Sequence, residues 1–410
     1  MEDSSASKER LKISKFKLNA LLDITLSINA NLPVSELLAK YESILRNNLG
    51  IGKIMIFKYE EKWECILNAG FTEEYEKSID VEKQLLPISE TAIVTNTPGF
   101  EGVDIIIPVF NNLVPLAYVF IGDIEEEGEG MSPVLKHLNF IQTISSIIIV
   151  AIENIRLFKE SLRQAALKKE LELASKMQMM LIPQEGKLPS KGKIKVCGFY
   201  FPHYEVGGDY YDCVSLSENQ TGFCIADVSG KGISAAILMS NFQASLRALF
   251  TSQVDLTELI KKLNGIVVEN AAGEKFITFF VARFNHDTGI LEYINAAHNP
   301  PVLYDTVTGE IRHLEACCVG IGMLDEITSV TRREIKIINH SKIVCYTDGL
   351  SELKDDKGKD IGTSMIIKHI TNARTVKENI QEMLKELGIP ENNPGLFDDV
   401  SIIAADLFCS

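Results

Sequence analysis

The 410-residue chain has no CxxC pair. Its 8 cysteines, Cys65, Cys197, Cys213, Cys224, Cys317, Cys318, Cys345 and Cys409, are scattered, several inside apolar runs. That spacing excludes the usual structural zinc frameworks and reads as reduced, buried thiols. Positive charge is also short, with 41 Lys and Arg against 56 Asp and Glu and a net charge of -15. Such a surface repels nucleic acid and anionic lipid, so neither is expected as a partner. Long apolar runs are missing too. The densest, Ile144 to Ile152, is broken by Ser145 and Ser146, well short of the ~20 residues a membrane span needs. Residues Met1 to Lys17 are polar and charged, without the apolar stretch of a signal peptide. A cytoplasmic protein is expected. There is no P-loop, no kinase motif set and no HxxE-type zinc motif.

What is present suffices for sizeable cores: 46% hydrophobic and 24% charged residues. The pattern divides the chain into an α+β protein of two domains. Residues 1–17 read as a flexible tail. Residues 18–152 alternate helical periodicity with short strands: Ile54–Phe57, Cys65–Leu67, Ile105–Phe110 and Leu116–Ile121. After a loop at Glu125 to Gly130, no Gly or Pro interrupts Leu135 to Ile182, so one long helix is expected, with residues 153–183 as a connector. Ile155, Phe158, Leu162 and Ala165 follow a/d spacing. Leu167, Leu171, Ala174, Gln178 and Leu181 follow it in a shifted phase. Two short seams suggest a homodimeric coiled coil, against a helix packed on its own domain. Residues 184–410 alternate strand and helix patterns, with Asp287-Thr288-Gly289 and Thr306 to Gly309 as hairpin turns.

Four acidic segments of this last region share a form, with Asp at a strand end or turn beside small residues. They are Gly207-Gly208-Asp209-Tyr210-Tyr211-Asp212, Ala226-Asp227-Val228-Ser229-Gly230, Tyr346-Thr347-Asp348-Gly349 and Phe397-Asp398-Asp399-Val400-Ser401. Hard divalent cations take oxygen ligands, and carboxylates gathered at one sheet edge could hold two such ions. Any one segment alone is usually just a turn; four in order, each beside an apolar strand, point to a metal site.

These segments, with ASKMQMMLIP at Ala174–Pro183 and NAAHNPP at Asn295–Pro301, resemble the bacterial serine phosphatases of the PPM (type 2C) superfamily, the SpoIIE/RsbU branch. The resemblance implies an α/β/β/α sandwich and two divalent ions, Mn²⁺ or Mg²⁺. It implies Asp209, Asp227, the Val228 carbonyl, Asp348 and Asp398 as ligands, with Asp399 the alternative to Asp398. Asp209, Asp227 and Asp348 would serve a metal-activated water that attacks phosphoserine or phosphothreonine. The substrates it implies are phosphorylated STAS-domain anti-sigma-factor antagonists in partner switching. Ser229 stands where eukaryotic relatives carry His, leaving the leaving-group acid open, and Cys318-Val319-Gly320 departs from the common Pro-Leu-Gly. His298 reads as a loop-fixing residue rather than a ligand, and His203 as a surface residue. Lys231 is either a phosphate attractant or solvated. Asp212 reads as support for the first turn, and Thr347 and Ser401 as bonding within their strands. Residues 18–152 resemble a GAF domain by element order, with a PAS-like domain the rival and no ligand specified. The alternative to an enzyme is a pseudophosphatase scaffold that binds a regulatory partner.

Overall fold

The computed structural model describes all residues except 1, 95–96, 125–132, 190–191, 204–205, 355–360, 390–397 and 409–410. The expected loop at Glu125–Gly130, together with Glu205, Phe397 and Cys409, therefore lies outside the described residues. The chain divides into two compact units, Met1–Ala165 and Ala166–Ser410.

The first unit comprises α1 (Glu2–Asn29), α2 (Val34–Leu49), β1 (Ile51–Tyr59), β2 (Trp63–Ala69), α3 (Glu73–Ser78), α4 (Val81–Gln84), β3 (Ala92–Ile93), β4 (Ile105–Asn111), β5 (Val114–Ile124) and the start of α5 (Pro133–Met179). Where a flexible tail was expected, α1 already begins at Glu2. Polar composition argues against burial, not against helicity, and the segment contains no Gly or Pro. The strands form one antiparallel sheet in the order β2-β1-β5-β4-β3. Residues such as Ile54, Ile56, Val119 and Ile121 pack one face against α1, α2 and α5; Met55, Phe57, Tyr118 and Phe120 pack the other beside Val81 and Leu85. The alternation along β1 and β5 places successive residues on opposite faces.

Helix α5 runs 47 residues. By length and composition its apolar part passes for a membrane span, but Ile141, Ile144, Ile148, Ile149 and Ile152 belong to the core of this unit. Ser145, which interrupts the apolar run, is hydrogen-bonded to Tyr41 at 2.6 Å, so its hydroxyl is satisfied inside that core. Lys58 is fully buried and pairs with Glu153 at 2.9 Å. Further along, Phe158, Leu162, Leu167 and Leu173 are exposed.

The second unit comprises β6 (Ile194–Phe201), β7 (Tyr210–Ser217), β8 (Gln220–Val228), α6 (Ile233–Leu249), α7 (Leu256–Ala271), β9 (Ile277–Asn285), β10 (Ile290–Ala296), β11 (Val302–Asp305), β12 (Ile311–His313), β13 (Arg333–Lys336), β14 (Ser341–Tyr346), α8 (Asp348–Ser351), α9 (Ser364–Ile370), α10 (Val376–Glu386) and β15 (Val400–Leu407). Two five-stranded antiparallel sheets, β13-β10-β9-β8-β7 and β12-β11-β14-β15-β6, stack face to face. Helices α6 and α7 cover the first sheet, α9 and α10 the second. Strands covered on both faces read as unbroken apolar runs, and β15 is buried at all eight positions. Strand β7 departs from an unbroken apolar run. Its pattern is masked by Asp212, which the fold buries and pairs with Arg247 at 2.7 Å.

Candidate metal and phosphoryl site

All four acidic segments sit at strand termini. Asp227 is the penultimate residue of β8, Asp348 opens α8 directly after β14, and Asp398-Asp399 precedes β15. Asp209 immediately precedes β7. Pairing β15 with β14 and β7 with β8 brings these ends together.

Asp209 is almost completely buried, and its carboxylate accepts a hydrogen bond from the Thr347 hydroxyl at 2.7 Å. Thr347 in turn accepts the Ser401 N–H at 3.0 Å. Its side chain therefore joins the first acidic segment to the third and fourth instead of bonding only within its strand. Asp399 accepts the His203 N–H at 2.8 Å and the Gly208 N–H at 3.0 Å. Asp398 turns outward, accepting the Asp399 N–H at 2.9 Å and pairing with Lys231 at 2.8 Å. The backbone approaches closely here: a Cβ on Gly207 would collide with the Asp399 carboxylate, and one on Gly349 with the Asp399 carbonyl. The Val228 carbonyl sits 2.9 Å from where a Gly208 Cβ would stand.

The electrostatics are those of crowded acids. Burial, then the neighbouring Asp227 and Asp399, raise the Asp209 carboxyl well above its ordinary value. Burial, then Asp348 and Asp398, push Asp227 up to about 7. Asp348 is raised by burial, Asp398 and Glu352, and Asp399 by burial. Two buried hydroxyls stand beside these acids, that of Ser401 at Asp209 and that of Tyr200 at Asp399. Crowded acids that resist ionising together suit added cations, which would favour their charged forms. Among the described residues, however, no group of three or more His, Cys, Asp and Glu already stands in ligating geometry.

Other expectations sort as follows. His298 is buried, bonded through Nδ1 to Thr278 at 2.9 Å, and its backbone N–H donates to the Asn295 side-chain oxygen at 2.8 Å. Burial lowers it to about 4, so it is neutral and fixes its loop. Asp212 holds Arg247 and the Tyr210 hydroxyl. Ser229 Oγ accepts the Phe276 N–H at 2.9 Å. The residue the sequence misled on is Gln178. Its spacing places it in a coiled-coil seam, but it is buried and its amide brackets Gly207, accepting the Gly207 N–H at 3.0 Å and donating to the Gly207 carbonyl. Its a/d position gave no hint, because seam spacing and burial against one's own domain produce the same period.

The stacked sheets with flanking helices and clustered strand-end acids define a PP2C-type phosphatase fold. The chain resembles the solved SiaA-PP2C domain of Pseudomonas aeruginosa with a TM-score of 0.50 and 16% identity, over 60% of this chain and 98% of that one. The family described as Stage II sporulation protein E (SpoIIE) matches residues 217–408. Phosphoserine phosphatase RsbU of Bacillus subtilis (strain 168) is 28% identical over 245 residues, 58% of this chain and 70% of RsbU. Phosphoserine phosphatase RsbP of the same organism is 25% identical over 193 residues, 45% of this chain and 46% of RsbP; the chain thus spans under half of that relative. The second unit thus has a PP2C-like phosphatase fold, and its residues 217–408 are similar to the SpoIIE family and to phosphoserine phosphatases such as RsbU.

Proposed function

We propose that the chain is a metal-dependent protein serine/threonine phosphatase of the cytoplasm, with a GAF-like N-terminal domain that regulates it. The observation that carries this reading is the convergence of Asp209, Asp227, Asp348, Asp398 and Asp399, whose mutual repulsion is relieved by a single lysine partner among the described ion pairs. Asp209, Asp227, the Val228 carbonyl, Asp348 and the Asp398-Asp399 pair would hold two Mn²⁺ or Mg²⁺ ions. When bound, such ions supply a water of lowered pKa and offset charge on the phosphoryl oxygens. The protein's own contribution is positioning. Thr347 fixes the Asp209 carboxylate, two backbone N–H groups fix Asp399, and Lys231 offers a cation beside Asp398. No nucleophilic side chain is required, so no phosphoenzyme is expected. The substrate class proposed is a phosphorylated STAS-domain anti-sigma-factor antagonist.

The exposed Phe158, Leu162, Leu167 and Leu173 support a homodimer through the connector helix, since a monomer gains nothing by presenting them to water. The Gln178 bracket on Gly207 supports control through that helix. A small ligand or protein at the GAF-like domain would supply the signal. One observation favours the scaffold alternative: Asp398 is paired with Lys231, and among the described residues ligating geometry is not preformed. Hydrolysis of para-nitrophenyl phosphate with Mn²⁺, with and without chelator, separates the two. Release of phosphate that the chelator abolishes supports the enzyme. No release at any Mn²⁺ concentration supports the scaffold.

A further inference from the structure

Two exposed apolar strips flank the Ser229–Gly232 turn, which follows directly on Asp227 and Val228. Ile233 and Ile237, one helical turn apart on α6, are both more than half exposed. On the other side, Phe276 exchanges backbone hydrogen bonds with Ser229: the Ser229 N–H donates to the Phe276 carbonyl at 2.9 Å, and the Phe276 N–H to Ser229 Oγ at 2.9 Å. Close to Phe276 lies the segment carrying Val319, Met323 and Leu324, all exposed.

That segment is not loose. Ile321 exchanges backbone hydrogen bonds with Ile277, at 2.8 Å in both directions. Buried Asn264 on α7 accepts the Gly322 N–H at 2.8 Å and donates to the Leu324 carbonyl at 3.0 Å and the Asp325 carbonyl at 3.2 Å. A backbone held at both ends and still displaying apolar side chains is preorganised for a partner rather than collapsed onto its own core. Between the strips, Lys275 is tied to the Ser229 carbonyl at 2.8 Å, and Lys231 follows in the same turn. The setting is therefore apolar at its flanks and cationic at its centre, next to the acidic site.

We propose that these strips are the docking surface for a folded phosphoprotein, one with an apolar patch beside its phosphorylated serine or threonine. This rests on the phosphatase reading above and adds to it that the substrate is recognised as a folded surface rather than as a short peptide. The phosphate is drawn toward the lysines, and the apolar contacts set its approach to the acidic cluster.

The test compares Ile237→Lys and Met323→Lys with the unaltered chain on three substrates with Mn²⁺. These are para-nitrophenyl phosphate, a phosphorylated STAS-domain protein, and the tryptic phosphopeptide of that same protein. The unaltered chain is expected to prefer the folded protein to its peptide in kcat/KM. Each substitution should lower kcat/KM for the folded protein about tenfold or more, mainly through KM. Rates on the peptide and on para-nitrophenyl phosphate should change by less than about threefold. A chain that turns over para-nitrophenyl phosphate yet shows no preference for the folded protein overturns the docking surface and leaves the phosphatase reading intact. So does a preference that both substitutions leave unchanged. A chain inactive on all three overturns both.

Discussion

Replacing Gln178 with Met removes both hydrogen bonds to Gly207 while keeping the side chain apolar and of similar length. In the folded domain the Gly207 N–H and carbonyl would then be unpaired beneath a nearly buried position. An unsatisfied buried backbone group costs about 1–3 kcal/mol, less where water reaches it. Taking the bottom of that range, about 1–1.5 kcal/mol, for each group gives about 2–3 kcal/mol, bearing on the turn that leads into Asp209. If that turn must be ordered for cations to bind, the loss appears as Mn²⁺ affinity weakened by roughly thirtyfold to a hundredfold. Calorimetric Mn²⁺ titration of Gln178→Met measures it, with Lys176→Met, an exposed neighbour on the same helix, as the control. The half-activating Mn²⁺ concentration for para-nitrophenyl phosphate should move with it. A folded Gln178→Met protein with Mn²⁺ affinity and rate within about twofold of the control would refute the reasoning.

Binding of Mn²⁺ should be proton-linked. Because Asp227 is raised to about 7, cation binding at lower pH must displace its proton, so affinity should fall by about tenfold per pH unit below 7 and level off above it. Calorimetry in buffers of different ionisation enthalpy would show the released proton; none released at pH 6 would contradict the assignment. The raised acids also act on the metal-free domain. A carboxyl raised on folding stabilises most below its unfolded value, and that contribution is lost as pH rises through the folded value. Melting of the metal-free protein should therefore shift upward as pH drops from 8 to 5, with Asp227→Asn reducing the shift. Two extra residues beside Lys168 rotate the helix by about 200° and lengthen it by about 3 Å; basal activity should change, and unaltered activity would count against control through the connector. Gly349→Ala forces a Cβ into the Asp399 carbonyl and should abolish activity while leaving the first unit's melting unchanged.

Much of the second unit was legible because its strands are buried on both faces and its turns carry Gly. β6 runs Ile194–Phe201 and α6 starts at Ile233, as the apolar pattern indicates. β7 was hidden because its interior acid, Asp212, finds its partner Arg247 far along the chain; a long-range ion pair leaves no local signal. The acidic segments were visible by type, and the fold brings all four to one place. Their supporting contacts were not visible. Thr347 serves Asp209 across 138 positions and Gln178 serves Gly207 across 29, distances over which a single sequence carries no pairing information. The helix at the N-terminus carries a polar sequence without the apolar periodicity that marks a packed helix, although no residue there breaks a helix.

The account's central claim is that Asp209 and Asp348 belong to one cation-dependent phosphoryl site. Release of inorganic phosphate from a phosphoserine protein, followed with Mn²⁺ for the unaltered chain, Asp209→Asn and Asp348→Asn, tests it most directly. The account predicts release that chelator stops and that each substitution reduces by about a thousandfold or more. Release unaffected by chelator and by both substitutions would contradict it.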